Sequence, residues 1–257
     1  SPESDGVVFT GRLSQEAQPW LAGHAVRGSV LLPGTAFVEL ALAAGAQAGC
    51  ELLDDLALEA PLVLPERGGV AFQITVGEDA GGSRTFALHT RDEGGAGAWT
   101  RHATGLLTTA APVPSENLAV WPPAGAEPLP VDGLYEALAE AGFGYGPAFQ
   151  GLTAAWRDGD DLYAEITPPE GTVVESTAAE GFGLHPALFD ACLHVFGLVS
   201  DGESARVPFA WSSVVLHAWG ASALRVRLTP SADGDGMALE VADAQGAPVL
   251  SVGSLVL

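Results

Sequence analysis

Asp190 and His194 stand out because of what surrounds them: they are the polar members of residues 186–199 (PALFDACLHVFGLV), a stretch otherwise apolar. A carboxylate is costly to bury in its ionised form, so an acid placed here either caps a neighbouring backbone group or has a chemical role. Four residues separate the two, which sets them roughly 40° apart around a helix, close enough to share a hydrogen bond or face one cavity. His24, in LAGHAVRGSVLLPG, lies just upstream of a second apolar stretch. It is either an imidazole bonded locally in a loop or a base that works near neutral pH. Residues 142–151 (GFGYGPAFQG) add a tight, aromatic turn in which Tyr145 offers a hydroxyl beside a backbone free to approach a ligand. That turn lacks the strand–GxGxxG–helix context of a nucleotide loop. One Asp with one or two His, and no Glu or Cys at ligand spacing, is a poor zinc set, so no metal is expected.

These residues need elements to hold them. Residues 35–45 (TAFVELALAAG) predict a helix buried on every side, with Thr35 as its cap. Residues 131–142 predict an amphipathic helix with Leu134, Leu138 and Ala141 inward, and residues 186–199 a third helix begun by Pro186. Alternating, β-branched stretches predict strands at 69–76, 84–90 and 99–107, and again at 151–156, 161–166, 214–218, 223–228, 237–242 and 248–257. His89, His102 and His217 fall in these strands as sheet residues, and His185 shapes the approach to the third helix. Residues 111–130 carry six prolines and little periodicity, which predicts a linker between a first unit, 1–110, and a second, 131–257. Setting Pro33 against Pro186 aligns two buried helices, each followed by strands, so two copies of one small α+β unit in tandem are expected. In that alignment Asp190 faces Phe37 and His24 faces Thr177. A His-plus-Asp pair can therefore be assembled once, with one partner from each half.

The 257 residues, 47% hydrophobic and 16% charged, suffice for a sizeable core. The net charge is −22, and all ten basic residues are Arg. Schiff-base and P-loop chemistry by Lys is thereby excluded, and nucleic acid or an anionic membrane is a poor partner. Cys50 and Cys192 sit in apolar surroundings without ligand spacing, as reduced core thiols suited to the cytoplasm. No run of about 18 apolar residues is present to span a membrane, and no signal peptide opens the chain. Met237 is the single methionine, so the chain reads as a piece of a longer polypeptide.

Four motifs in order resemble those of dehydratase domains of modular type I polyketide synthases. They are HxxxGxxxxP (His24, Gly28, Pro33), YGPxF (Tyr145, Gly146, Pro147, Phe149), HPxxxDxxx(Q/H) (His185, Pro186, Asp190, His194) and LPFxW, here Val207, Pro208, Phe209, Ala210 and Trp211. The departures are Val207 for the usual Leu and Gly23 where an acid is common before the histidine. The resemblance implies an α+β double-hotdog fold: two tandem hotdog units, each a sheet curled round a central helix, with one active site between them. It also implies an acyl carrier protein as partner, neighbouring domains of the same synthase, a homodimer, and no cofactor beyond the carrier's phosphopantetheine arm.

On this resemblance His24 is the base and Asp190 the acid in removing water from a (3R)-hydroxyacyl thioester to give a trans-2-enoyl product. His194 orients Asp190, Tyr145 bonds near the hydroxyl or the acid, and a backbone donor near Gly34 meets the thioester carbonyl. An ordinary Asp titrates near about 3.9, so keeping a useful protonated fraction at neutral pH requires about 4 kcal/mol, which an apolar surrounding can supply. The same motifs fit a domain that also closes a pyran ring or shifts the double bond. A product-template-like domain, a hotdog thioesterase and a non-catalytic structural hotdog are rival readings. Carrier proteins are usually acidic as well, so recruitment must rely on a local Arg patch, with Arg206 the first candidate, or on tethering within one chain.

Overall fold

The computed structural model describes residues 5–95, 97–109, 117–172, 181–199, 207–232, 234 and 236–257. In the first half, β1 (Val7–Leu13) precedes the helix α1 (Gly34–Gln47), which β4 (Leu52–Leu58), β5 (Val70–Val76), β6 (Ser83–Asp92) and β7 (Thr100–Thr108) follow. The second half has β8 (Glu127–Leu129), β10 (Leu152–Asp158) and β11 (Asp161–Ile166) before the helix α3 (Pro186–Ala191). After it come β12 (Ala210–Leu216), β13 (Leu224–Pro230), β14 (Met237–Asp243) and β15 (Pro248–Val256).

All twelve strands join one antiparallel sheet, ordered β1-β5-β6-β7-β4-β12-β15-β14-β13-β11-β10-β8. The two halves repeat one pattern within it. Numbered from the strand before its helix, the first runs β1-β5-β6-β7-β4 and the second β11-β13-β14-β15-β12, and they meet where β4 pairs with β12. This is the tandem hotdog arrangement that the sequence and the resemblance led us to expect. A second, three-stranded sheet links the halves again: β2 (His24–Val26) lies between β3 (Ser29–Val30) and β9 (Phe143–Tyr145).

The two central helices touch. Thr35 is fully buried, and its hydroxyl donates to the Pro186 carbonyl at 2.9 Å instead of capping α1, whose N-cap is Pro33. One turn on, the buried Glu39 carboxylate accepts from the amides of Gly183 at 2.6 Å and Leu184 at 3.4 Å. Burial pushes the Glu39 carboxyl above the usual range, and those two amides pull it part of the way back. Every residue of α3 is buried, so its polar groups must find partners inside the protein.

Several sequence expectations give way. The third helix is broken: α3 ends at Ala191, and α4 (Phe196–Val199) follows a turn in which Leu193 N bonds Asp190 O at 2.9 Å and His194 N bonds Ala191 O at 3.2 Å. This tightening to i→i−3 bonds shortens the helix without separating Asp190 from His194. The second helix, α2, is confined to Leu134–Glu140. Within the stretch expected to be a linker, residues 127–129 form the edge strand β8 on β10. Pro128 is tolerated there because an edge strand needs no second ladder of donors. The junction strand β4 (LLDDLAL) went unseen because a register shift between Leu53 and Asp55 breaks its period of two, which puts Leu53 and Leu56 both in the core.

Candidate active site

His24 follows the 3-10 turn Pro19–Gly23 and opens β2, where it is paired with Tyr145 of β9. Its Nδ1 lies 3.0 Å from the Leu31 carbonyl, and Leu31 N returns a 3.0 Å bond to the His24 carbonyl. A carbonyl can only accept, so Nδ1 carries the proton of the neutral ring and Nε2 presents a lone pair. That Nε2 stands 3.9 Å from Asp190 Oδ2. Both side chains are largely buried, with 11% and 8% of their surfaces exposed. Asp190 Oδ2 in turn lies 3.1 Å from His194 Nε2.

The strand pairing of His24 depends on a close approach of backbones. Gly146 N donates to the Gly23 carbonyl at 2.8 Å, and a Cβ on Gly146 would sit 2.8 Å from the Gly23 Cα. No side chain fits in that gap, so glycine at 146 is a steric requirement. Phe149 is fully buried in the 3-10 turn Pro147–Phe149, and its ring packs 5.4 Å from that of His24 and 6.0 Å from that of Trp20.

A cavity of about 950 Å³ opens on these groups. His24, Tyr145, Asp190, His194 and Gly34 all line it, among apolar side chains such as Phe37 and Leu138. Gly146, Pro147, Phe149 and Pro33 are not among its lining residues; Gly146 and Phe149 instead support His24 through the contacts just given. Gly34 begins α1, so its N–H has no acceptor within the helix and is available to a ligand. The Tyr145 ring lies tilted 4.1 Å from the His194 ring, and burial above all pushes its phenol far up, which keeps the hydroxyl protonated as a donor. Val207, Pro208 and Phe209 also line the cavity, with Val207 and Phe209 about half exposed. Arg206 lies outside the described residues.

Sequence reasoning missed Tyr135, because the acidic face of α2 drew attention only to its leucines. The Tyr135 hydroxyl lies 3.3 Å from His194 Nδ1 and 3.4 Å from the Phe149 carbonyl, and accepts from Leu152 N at 3.0 Å. Its spacing of three from Leu138 and its need for a polar partner were the available signals. His185 caps α3, its Nδ1 accepting from Ala187 N at 3.1 Å. His102, in β7, bonds Thr90 of β6 and the Ala60 carbonyl, as a sheet residue. His217 does not stay in the sheet: β12 ends at Leu216, and His217 bonds Ser251 of β15 from just beyond that end. Among the described residues no group of acidic, His and Cys side chains is suited to hold a metal, and no helix is long and apolar enough to cross a membrane. Both cysteines are free and buried.

Two family models cover most of the chain. The polyketide synthase dehydratase domain matches residues 1–91, and a model described as the polyketide synthase dehydratase N-terminal domain matches residues 113–257. The chain belongs to the polyketide synthase dehydratase domains. Among its relatives, polyketide synthase GfsA of Streptomyces halstedii is 53% identical over 99% of the chain, and mycoketide-CoA synthase of Mycobacterium tuberculosis is 50% identical over 99%. The dehydratase domain spans only 4% and 6% of the length of those two curated relatives. Among solved structures, it is similar to the dehydratase domain from the terminal module of the rifamycin polyketide synthase (46% identity, TM-score 0.89, covering 100% of this chain and 92% of that one). It is also similar to a bifunctional dehydratase-cyclase domain in ambruticin biosynthesis, at 46% identity and TM-score 0.88, covering 99% of this chain and 93% of that one.

Proposed function

We propose that this dehydratase domain removes water from a (3R)-hydroxyacyl thioester carried on the phosphopantetheine arm of an acyl carrier protein, leaving a trans-2-enoyl thioester. The observation that carries the proposal is the 3.9 Å separation of His24 Nε2 and Asp190 Oδ2 on one cavity wall. Nε2 of His24 takes the α-proton, the Cα–H electron pair becomes the new double bond, and the Cβ–O bond breaks toward Asp190. The protonated Asp190 gives its proton to the departing hydroxyl, which leaves as water. Acid and base on one side of the chain impose syn elimination. Tyr145 donates to the hydroxyl before it leaves, and the Gly34 N–H stabilises the charge that gathers on the thioester oxygen. No electrons leave the substrate, so acid, base and oxyanion donor suffice and neither metal nor cofactor takes part.

The carrier protein reaches the cavity by tethering within a long polypeptide, consistent with the small share of its relatives that the domain spans and with a net charge of −22, which opposes global steering of an acidic partner. Neighbouring domains of the same synthase, a homodimer and a cytoplasmic location complete the proposal. Likeness to a dehydratase-cyclase favours a second reading, in which the same pair also closes a pyran ring from a distal hydroxyl. Mass spectrometry of a carrier-bound 3-hydroxyacyl chain, before and after exposure to the domain, tests both. Loss of water supports dehydration, an isomeric cyclic product from a substrate with a distal hydroxyl supports ring closure, and an unchanged substrate overturns the assignment.

A further inference from the structure

Tyr135 does not line the cavity, yet its hydroxyl is two hydrogen bonds from the carboxyl of Asp190. The chain of contacts has a direction because it begins on a backbone amide. Leu152 N–H can only donate, and it donates to the Tyr135 oxygen at 3.0 Å. The single Tyr135 proton then has two acceptors within reach, His194 Nδ1 at 3.3 Å and the Phe149 carbonyl at 3.4 Å.

The choice decides the tautomer of His194. If the phenol proton goes to Nδ1, His194 carries its own proton on Nε2 and donates to Asp190 Oδ2, which leaves the other carboxyl oxygen to hold the acid proton for substrate. With the phenol proton on the Phe149 carbonyl instead, Nδ1–H points at Tyr135 and Nε2 becomes an acceptor. The acid proton then sits on Oδ2, committed to His194 and turned from the substrate.

We infer that Tyr135 is a positioning residue that holds His194 as the Nε2–H tautomer, and thereby keeps the proton of Asp190 available for the leaving hydroxyl. The inference rests on the dehydratase reading for its consequence in turnover, though the tautomer itself is independent of activity. The groups that face His194 are Asp190 from α3, Tyr145 from β9 and Tyr135 from α2. Both phenols are held protonated by burial, so they act there as neutral hydrogen-bonding groups.

Imidazole ¹⁵N chemical shifts of His194 in the intact domain, assigned with a His194→Gln control, read the tautomer directly. We expect a protonated Nε2 and a bare Nδ1, and a mixture in Tyr135→Phe. In turnover of a carrier-bound 3-hydroxyacyl substrate, Tyr135→Phe should lower kcat about tenfold with KM within about twofold, because a positioned acid is lost but no substrate contact is. In the His194→Gln background the same change should lower kcat no further. A bare Nε2 in the wild-type domain overturns the inference, as do equal losses from Tyr135→Phe with and without His194. If Tyr135→Phe does not fold, 3-fluorotyrosine at 135 keeps the packing and strengthens the donor; the Nε2–H signal should then persist, and its replacement by Nδ1–H is the overturning result. A wild-type domain inactive in turnover but holding the Nε2–H tautomer would sink the dehydratase reading alone.

Discussion

His24 Nε2 and Asp190 Oδ2 face each other at 3.9 Å although each belongs to a different hotdog unit, and the hairpin carrying one is paired with a strand from the unit carrying the other. In the mechanism proposed above the two act on one substrate from one side, so their losses should not multiply. His24→Ala and Asp190→Asn are each expected to lower kcat by about 10²–10⁴, and the double variant to be no slower than the worse single one by more than a few-fold. Rates from mass-spectrometric loss of water check this, and a double variant slowed by the product of the two would count against a joint role.

In the proposed mechanism Gly34 contributes its N–H, not its lack of a side chain. A Cβ there would meet Leu58 at 3.4 Å, an ordinary contact, and Pro33 already has the extended backbone (φ −64°, ψ 148°) that a following proline demands. Gly34→Ala should keep activity within a few-fold. Gly34→Pro should fold but lose about 10²-fold in kcat, the cost of one oxyanion donor. Equal activity in the two variants would remove Gly34 from the mechanism.

Glu39 ties α1 to the segment that leads into α3, and its raised carboxyl means that the native state holds the proton more tightly than the unfolded chain. The stability this contributes is present at low pH and is lost as pH rises through the native titration. Glu39→Gln, which keeps an acceptor for Gly183 and carries no charge, should therefore gain on the wild type as pH rises from 4.5, the ordinary value. Glu39→Ala leaves two buried amides unpaired and should lose about 2 kcal/mol or more. Urea melts across this range decide it, and a stability difference between Gln and wild type that ignores pH is the contrary result.

His185 titrates the other way. Burial lowers it from 6.5 to about 4, so below 6.5 the unfolded chain binds a proton that the native state refuses. Its contribution is complete above 6.5 and drains away as pH falls toward about 4, by up to about 3 kcal/mol. His185→Asn keeps a capping acceptor and does not titrate, so its thermal midpoint should fall less steeply over that window. Parallel slopes for the two proteins would rule His185 out as the source.

Much of the site was legible in the order of residues alone. An acid in an apolar helix, a histidine four residues on, and a glycine-rich aromatic turn can be picked out because burial makes each of them costly without a purpose. Alternation exposed nine of the strands, since a half-buried pleat writes itself as a period of two. In the large sheet it failed at β4, where the bulge erases that period, and at β8, whose three residues are too short for any pattern, and the sequence reading also passed over β1, although its burial alternates.

What the sequence determined, then, was which residue types were available and that two similar units carried them, one with the histidine and one with the acid. Only the tertiary structure decided what each meets. Glu39 and Asp190 are both acids in buried helices, and nothing local separates them. Contact does: Glu39 meets the amides of Gly183 and Leu184, whereas Asp190 meets two imidazoles at the edge of a cavity. Tyr135 likewise looks like one more residue of an amphipathic helix until the packing of α2 sets its hydroxyl against His194. Periodicity reports which side of an element is buried; the partner waiting there comes from the other half of the chain, and no local pattern encodes it.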